Sequence, residues 1–147
     1  MSRNFDGLDD LINCGSLAIL NNISSLSVLL WARPEAAGDF TVPRFIDKHN
    51  LTDNVGWSVV FDDAAGERRL RFFCQFAGGL LNVVAAGTPN FAYNEQFHYA
   101  VTWNGGTSAN GVSLYKNGGL LTNAPSSSNG SGVRTSDTAN ALVIGNE

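Results

Sequence analysis

The 147 residues predict an all-β domain, an antiparallel β-sandwich, on three observations. Over Phe97–Trp103 the large residues Phe97, Tyr99, Val101 and Trp103 alternate with His98, Ala100 and Thr102, the period of two of a half-buried strand. A second run, Val112–Lys116, ends in Asn117-Gly118, a pair that tolerates positive φ and suits a tight hairpin turn. Short apolar runs separated by Gly, Asn, Asp, Ser and Pro recur along the whole chain and leave little room for helix.

Taken in order, Leu11–Cys14 is short and apolar, and a helical turn fits within Ile12–Leu20. Ser25–Arg33 is the longest apolar run, stopped by Pro34, and reads as a central strand buried on both faces. Phe45–Lys48 is a short strand. In Gly56–Asp62, Trp57, Val59 and Phe61 alternate with Ser58, Val60 and Asp62, and residues 62–67 turn the chain into Arg68–Phe76. Arg69 and Arg71 then share one face, with Arg68 opposite or at the end, as on a solvated edge strand guarded by charge. Leu80–Ala85 follows Gly78-Gly79, residues 126–132 (Ser-Ser-Ser-Asn-Gly-Ser-Gly) read as a mobile loop, and Ala141–Gly145 is the last strand.

Composition bounds the function. Hydrophobic residues make up 44% and charged residues 15%, enough apolar matter for one domain over residues 1–147 and against disorder. A net charge of −4 without a basic cluster argues against nucleic acid as a partner. No apolar stretch approaches the roughly 20 residues of a membrane span, and Met1–Gly7 lacks the apolar core of a secretory signal. A complete gene product with this start is expected to stay off that export route, whereas an excised domain carries no such implication. Cys74 is in phase with Leu70, Phe72 and Phe76, so a buried free thiol is favoured over a Cys14–Cys74 bridge. Sequons occur at Asn22, Asn50 and Asn129, as expected by chance in a chain so rich in Asn, Ser and Thr.

A family resemblance spans nearly the whole chain. Asn4–Asp10 (Asn-Phe-Asp-Gly-Leu-Asp-Asp), Leu29–Pro34 (Leu-Leu-Trp-Ala-Arg-Pro), Phe45–Lys48, His98–Gly105, Leu114–Gly118 and Ala141–Gly145 follow one another in the order of a known set of strand signatures. Together they resemble the concanavalin A-like jelly rolls, in their laminin G-like and pentraxin-like branch. Phe97 stands where that family usually has Trp. The resemblance implies a further closing strand after the Ile144-Gly145 signature, beside the N-terminal strand. The sequence stops at Asn146-Glu147, so either it is truncated or a sheet edge is left open there, and an open edge would invite subunit contact by strand addition.

Chemistry is sparse. The related glycoside hydrolases carry Glu-x-Asp-x-x-Glu or a close variant on one strand, and neither Glu35, Glu67, Glu95 nor Glu147 lies in such a motif. Asp9-Asp10 and Asp62-Asp63 are adjacent pairs that point to opposite faces of a strand. His98 reads as structural and His49 as loop surface, so no enzyme is expected. The resemblance implies calcium as a candidate cofactor, and the chain offers Asp47, Asp53, Asp62 and Asp63 for it, with Asn54 and Asp137 as further oxygen donors. Glycans would stack on aromatic faces, for which Tyr93, Tyr115, Trp103 and Trp57 are the candidates; the phase of Trp57 and Trp103 favours the core for both. Two readings follow. One is a structural or adhesive module docking on other subunits of a larger assembly, such as the capsid decoration or tail of a bacteriophage virion. The other is a lectin-like, calcium-assisted carbohydrate-binding domain of a secreted, extracellular protein.

Overall fold

A computed structural model describes residues 5, 10–35, 44–50, 52–62, 66–87 and 89–145. Among these residues ten strands form two antiparallel sheets: β1 (Leu11–Asn13), β2 (Leu26–Ala32), β3 (Arg44–Asp47), β4 (Trp57–Asp62), β5 (Arg69–Phe76), β6 (Gly79–Val84), β7 (Phe97–Trp103), β8 (Val112–Lys116), β9 (Gly119–Leu121) and β10 (Val143–Gly145). The first sheet has the order β1-β10-β3-β4-β5-β6 and the second β2-β7-β8-β9. The expected helical turn is a single 3-10 turn at Ala18–Leu20.

The alternation read from the sequence sets the core. Trp57, Val59 and Phe61 from β4, Leu70, Phe72, Cys74 and Phe76 from β5, and Phe97, Tyr99, Val101 and Trp103 from β7 are all buried between the sheets. Phe61 lies edge-on to Phe45 and Tyr99 and stacks on Phe91, so one aromatic cluster bridges both layers. Both central residues of the β8–β9 turn, Asn117 and Gly118, have positive φ (50° and 80°), the type I′ geometry that the dipeptide predicted.

The Tyr99 hydroxyl is buried in this cluster without a hydrogen-bond partner, and burial holds its pKa above the ordinary tyrosine value. Tyr99→Phe is therefore expected to raise stability by about 1 kcal/mol, read from urea unfolding. A loss of similar size would show that the hydroxyl contributes a bond in solution.

Four sequence expectations need correction. Ser25–Arg33 is not a central strand buried on both faces: among the described residues β2 is an edge strand pairing only with β7, and its Leu29 and Trp31 point to solvent. A run of uninterrupted apolar residues carries no alternation to reveal the bare face. The Arg69 and Arg71 segment is not an edge, because β5 lies between β4 and β6. His49 is not loop surface: it is buried, its ring edge-on to Phe73 at 5.0 Å.

Residues 122–134, which include the expected mobile loop, form a strap bonded along β6. Ser128 and Asn82 exchange two backbone hydrogen bonds (2.7 and 3.0 Å), and Ala124 N donates to Val84 O, Gly78 N to Ser131 O and Ala77 N to Val133 O. Gly130 is what lets the strap close, since a Cβ there would stand 2.6 Å from the Phe76 ring. Low complexity predicts mobility only where the backbone lacks partners, and here β6 supplies them.

Candidate functional site

The two outer sheet faces differ in kind. On the six-stranded sheet, β3, β4 and β5 bring Arg44, Arg69 and Arg71 together with the carboxylates. Arg44 pairs with Asp47, and Asp62 lies 3.8 Å from Arg69 and 3.9 Å from Arg71, while Arg69 also pairs with Glu67. The Arg71 guanidinium covers the Phe73 ring at 5.3 Å and donates to Asn82 Oδ1. This face is charged and internally paired.

His49 belongs to the same layer. Desolvation first, and the nearby Arg44 second, lower its pKa from 6.5 to about 4. The folded chain thus refuses a proton that the unfolded chain accepts, so stability is complete above pH 6.5 and falls as pH drops toward 4. The expected loss is roughly 3 kcal/mol across that window. Comparing urea midpoints of wild type and His49→Gln at both ends isolates this residue from the carboxylates. Parallel pH profiles for the two would refute it.

The outer face of the four-stranded sheet is neutral and bare. The registers Leu29↔Ala100, Ala100↔Tyr115 and Tyr115↔Leu120 set these four residues in one straight row across all four strands. Trp31 stands in the neighbouring row opposite His98, with ring centroids 5.1 Å apart. Leu29, Trp31 and Leu120 are 65%, 68% and 64% exposed, an unusual outlay of large apolar side chains on one face. On the other side of the Leu29 row, Ser27, Thr102 and Ser113 are again aligned by register, and with Ser25, Asn104 and Asn110 they line an open hollow of about 520 Å³. Hydroxyls and amides without a formal charge therefore line this hollow, and the Leu29 row separates them from the exposed Trp31 indole.

The residues singled out from the sequence divide between these places. Trp57 and Trp103 are core, 3% and 2% exposed, and so present no surface to a sugar. The Trp103 indole N–H donates to Gly106 O. Tyr115 lies in the exposed row. Tyr93 is half-buried elsewhere, edge-on to Phe91 and beneath the Arg68 guanidinium. Trp31 and Leu29 were missed because their strand read as buried; the Ser-x-Leu-x-Trp spacing of Ser27, Leu29 and Trp31 was the available signal.

The calcium candidates are not gathered. Asp47 and Asp62 are held by arginines, Asp53 accepts from the Asn50 amide in an exposed turn, and Asp63 lies outside the described residues. Asp137 is fully buried and faces Arg134, not solvent. Among the described residues no three His, Cys, Asp or Glu side chains converge as metal ligands. Cys14 and Cys74 are free thiols, and burial pushes Cys74 up to about 11, out of the reactive range. No helix among the described residues is long and apolar enough to cross a membrane.

Comparison with known families agrees with this architecture. Residues 6–147 match the Laminin_G_3 family, described as the Concanavalin A-like lectin/glucanases superfamily. Compared with curated proteins, the sequence finds no match. The strand signatures, the two-sheet sandwich and a family match over nearly the whole length coincide: the chain belongs to the laminin G-like domains of the concanavalin A-like lectin/glucanase superfamily.

Proposed function

We propose that the domain is a non-catalytic adhesive module that docks on a larger protein assembly through the outer face of its four-stranded sheet. The row Leu29–Ala100–Tyr115–Leu120 with Trp31 beside it carries this reading. A flat, neutral, aromatic-bearing patch is what a protein partner desolvates at the centre of an interface. The paired carboxylates of the opposite face support the absence of catalysis, since arginines occupy the groups that acid–base work on a glycosidic bond would need. The virion surface is the setting in which such a docking face serves a decoration or tail protein.

A second reading, glycan recognition, is favoured by the hollow of Ser27, Thr102, Ser113, Asn104 and Asn110, across the Leu29 row from Trp31. Uncharged hydroxyl and amide groups around an open hollow match the hydrogen-bonding groups of a neutral sugar.

One set of variants tests both. Trp31→Ala should weaken binding of the chain to the particles or surfaces of its source by about ten-fold or more. Val133→Ser, which alters an exposed apolar residue of the strap, should leave it unchanged. Equal binding by both variants rejects the face. A glycan-array signal lost in Trp31→Ala and Ser113→Ala together selects the sugar.

A further inference from the structure

Sheet edges expose unpaired N–H and C=O groups, and proteins blunt them by shortness, charge, proline or a cover. Three of the four edges here are blunted. β1 and β9 are three residues each, and β6 is covered by the strap through Ser128, Ala124 and Ser131. The fourth, β2, has none of these devices among the described residues. It is seven residues long, Leu-Ser-Val-Leu-Leu-Trp-Ala, uncharged and without proline, and its register with β7 runs unbroken from Leu26↔Trp103 to Ala32↔Phe97.

We infer that β2 is a self-association edge, pairing antiparallel with β2 of a second copy about a two-fold axis at Leu29. The occupant follows from self-complementarity. Leu29 is the midpoint of Leu26–Ala32, so pairing about it uses the whole strand: Leu26 opposite Ala32, Ser27 opposite Trp31, Val28 opposite Leu30. Side chains that face the core meet others that face the core, and exposed ones meet exposed ones, as an antiparallel pair requires. Each Trp31 then stands across from Ser27 of the other copy, at the border of that copy's polar hollow, with its outer ring face still open. The two Leu29 rows fuse into one apolar band across eight strands. Charge favours this approach as well. The chain carries a net −4, yet the edge is neutral, and Arg33 at its end is already paired with Glu35.

This inference does not rest on the docking role of the face, because an edge pair leaves that face open. The mass of the full chain by sedimentation equilibrium is expected to be that of a dimer at micromolar concentration. Leu29→Lys sets two like charges across the axis and should return the monomer with an unchanged melting profile, whereas Leu120→Lys, on the far edge, should remain dimeric. In a Cys14→Ser background, Leu29→Cys should oxidise to a covalent dimer, since paired Cα atoms lie about 4.5–5.5 Å apart, within disulfide reach. Leu120→Cys should not. A monomer at all concentrations, or equal crosslinking of both cysteine variants, overturns the proposal. So does a monomer whose β2 amides resist hydrogen exchange, because another strand then covers the edge. Particle binding by the wild type, measured separately from its mass, keeps the docking reading distinct from this one.

Discussion

Asp137→Ala is expected to cost about 3–5 kcal/mol, the range for removing one partner of a buried ion pair. Asp137 ties its own segment, residues 134–140, to two distant ones at Asn22-Ile23 and Lys48. Its Oδ1 accepts from Asn22 N at 2.8 Å, Asn22 Oδ1 accepts from Asp137 N at 3.1 Å, and its Oδ2 pairs with Arg134, which in turn donates to Ile23 O. Lys48, also fully buried, donates from Nζ to Asp137 O at 3.0 Å and Asn140 O at 2.6 Å. The Asn140 amide returns a bond to Lys48 O. Burial lowers the Lys48 pKa, and the Asp137 charge opposes that shift. Removing the carboxylate therefore leaves Arg134 unpaired and Lys48 desolvated without its nearest negative charge. Asp137→Asn, which keeps shape and one acceptor, should lose less than the alanine variant. Urea unfolding measures both; a loss under 1 kcal/mol for Asp137→Ala would mean that the knot is dispensable.

Gly105→Ala is expected to cost 4 kcal/mol or more, or to prevent folding, as substitutions that force backbone apart do. Gly105 has φ +88°, and a Cβ there would overlap the carbonyl oxygen of Ser24. The chain leaving β7 thus lies directly against the chain entering β2, and only glycine permits that approach. Relief would require shifting the start of β2, whose register with β7 positions Ser27 beside Thr102 and Leu29 beside Ala100. Thermal unfolding should show the loss. A near-wild-type melting temperature would show that the 104–108 loop yields freely.

The interior strands were legible because burial on one face writes an alternating pattern: β4, β5 and β7 appear in the sequence nearly as they stand in the fold. The Asn117-Gly118 hairpin was legible for a local reason, the left-handed backbone it demands. What failed was information carried by partners far along the chain. Nothing near Lys48 or His49 in sequence announces Asp137, Asn140 or Phe73. Nothing in a Ser-rich segment announces β6. The candidate site was half visible: Tyr115 was among the aromatic candidates, but Trp31 vanished inside an apolar run. The acidic residues misled because their arginine partners lie on other strands or several residues away.

The covered edge of β6 decides how large any assembly built by strand addition can become. Molecules with two sticky edges add head to tail without limit and give fibres; molecules with one can only close as a pair. By sealing the long edge of one sheet with a ribbon of serine, asparagine and glycine, and keeping β1 and β9 short, the domain leaves β2 as the one long bare edge among the described residues. Losing the ribbon would therefore do more than loosen a loop. It would open a second long edge to strand addition, the condition for growth without limit, beside Phe76 and Leu81, against which Gly130 packs.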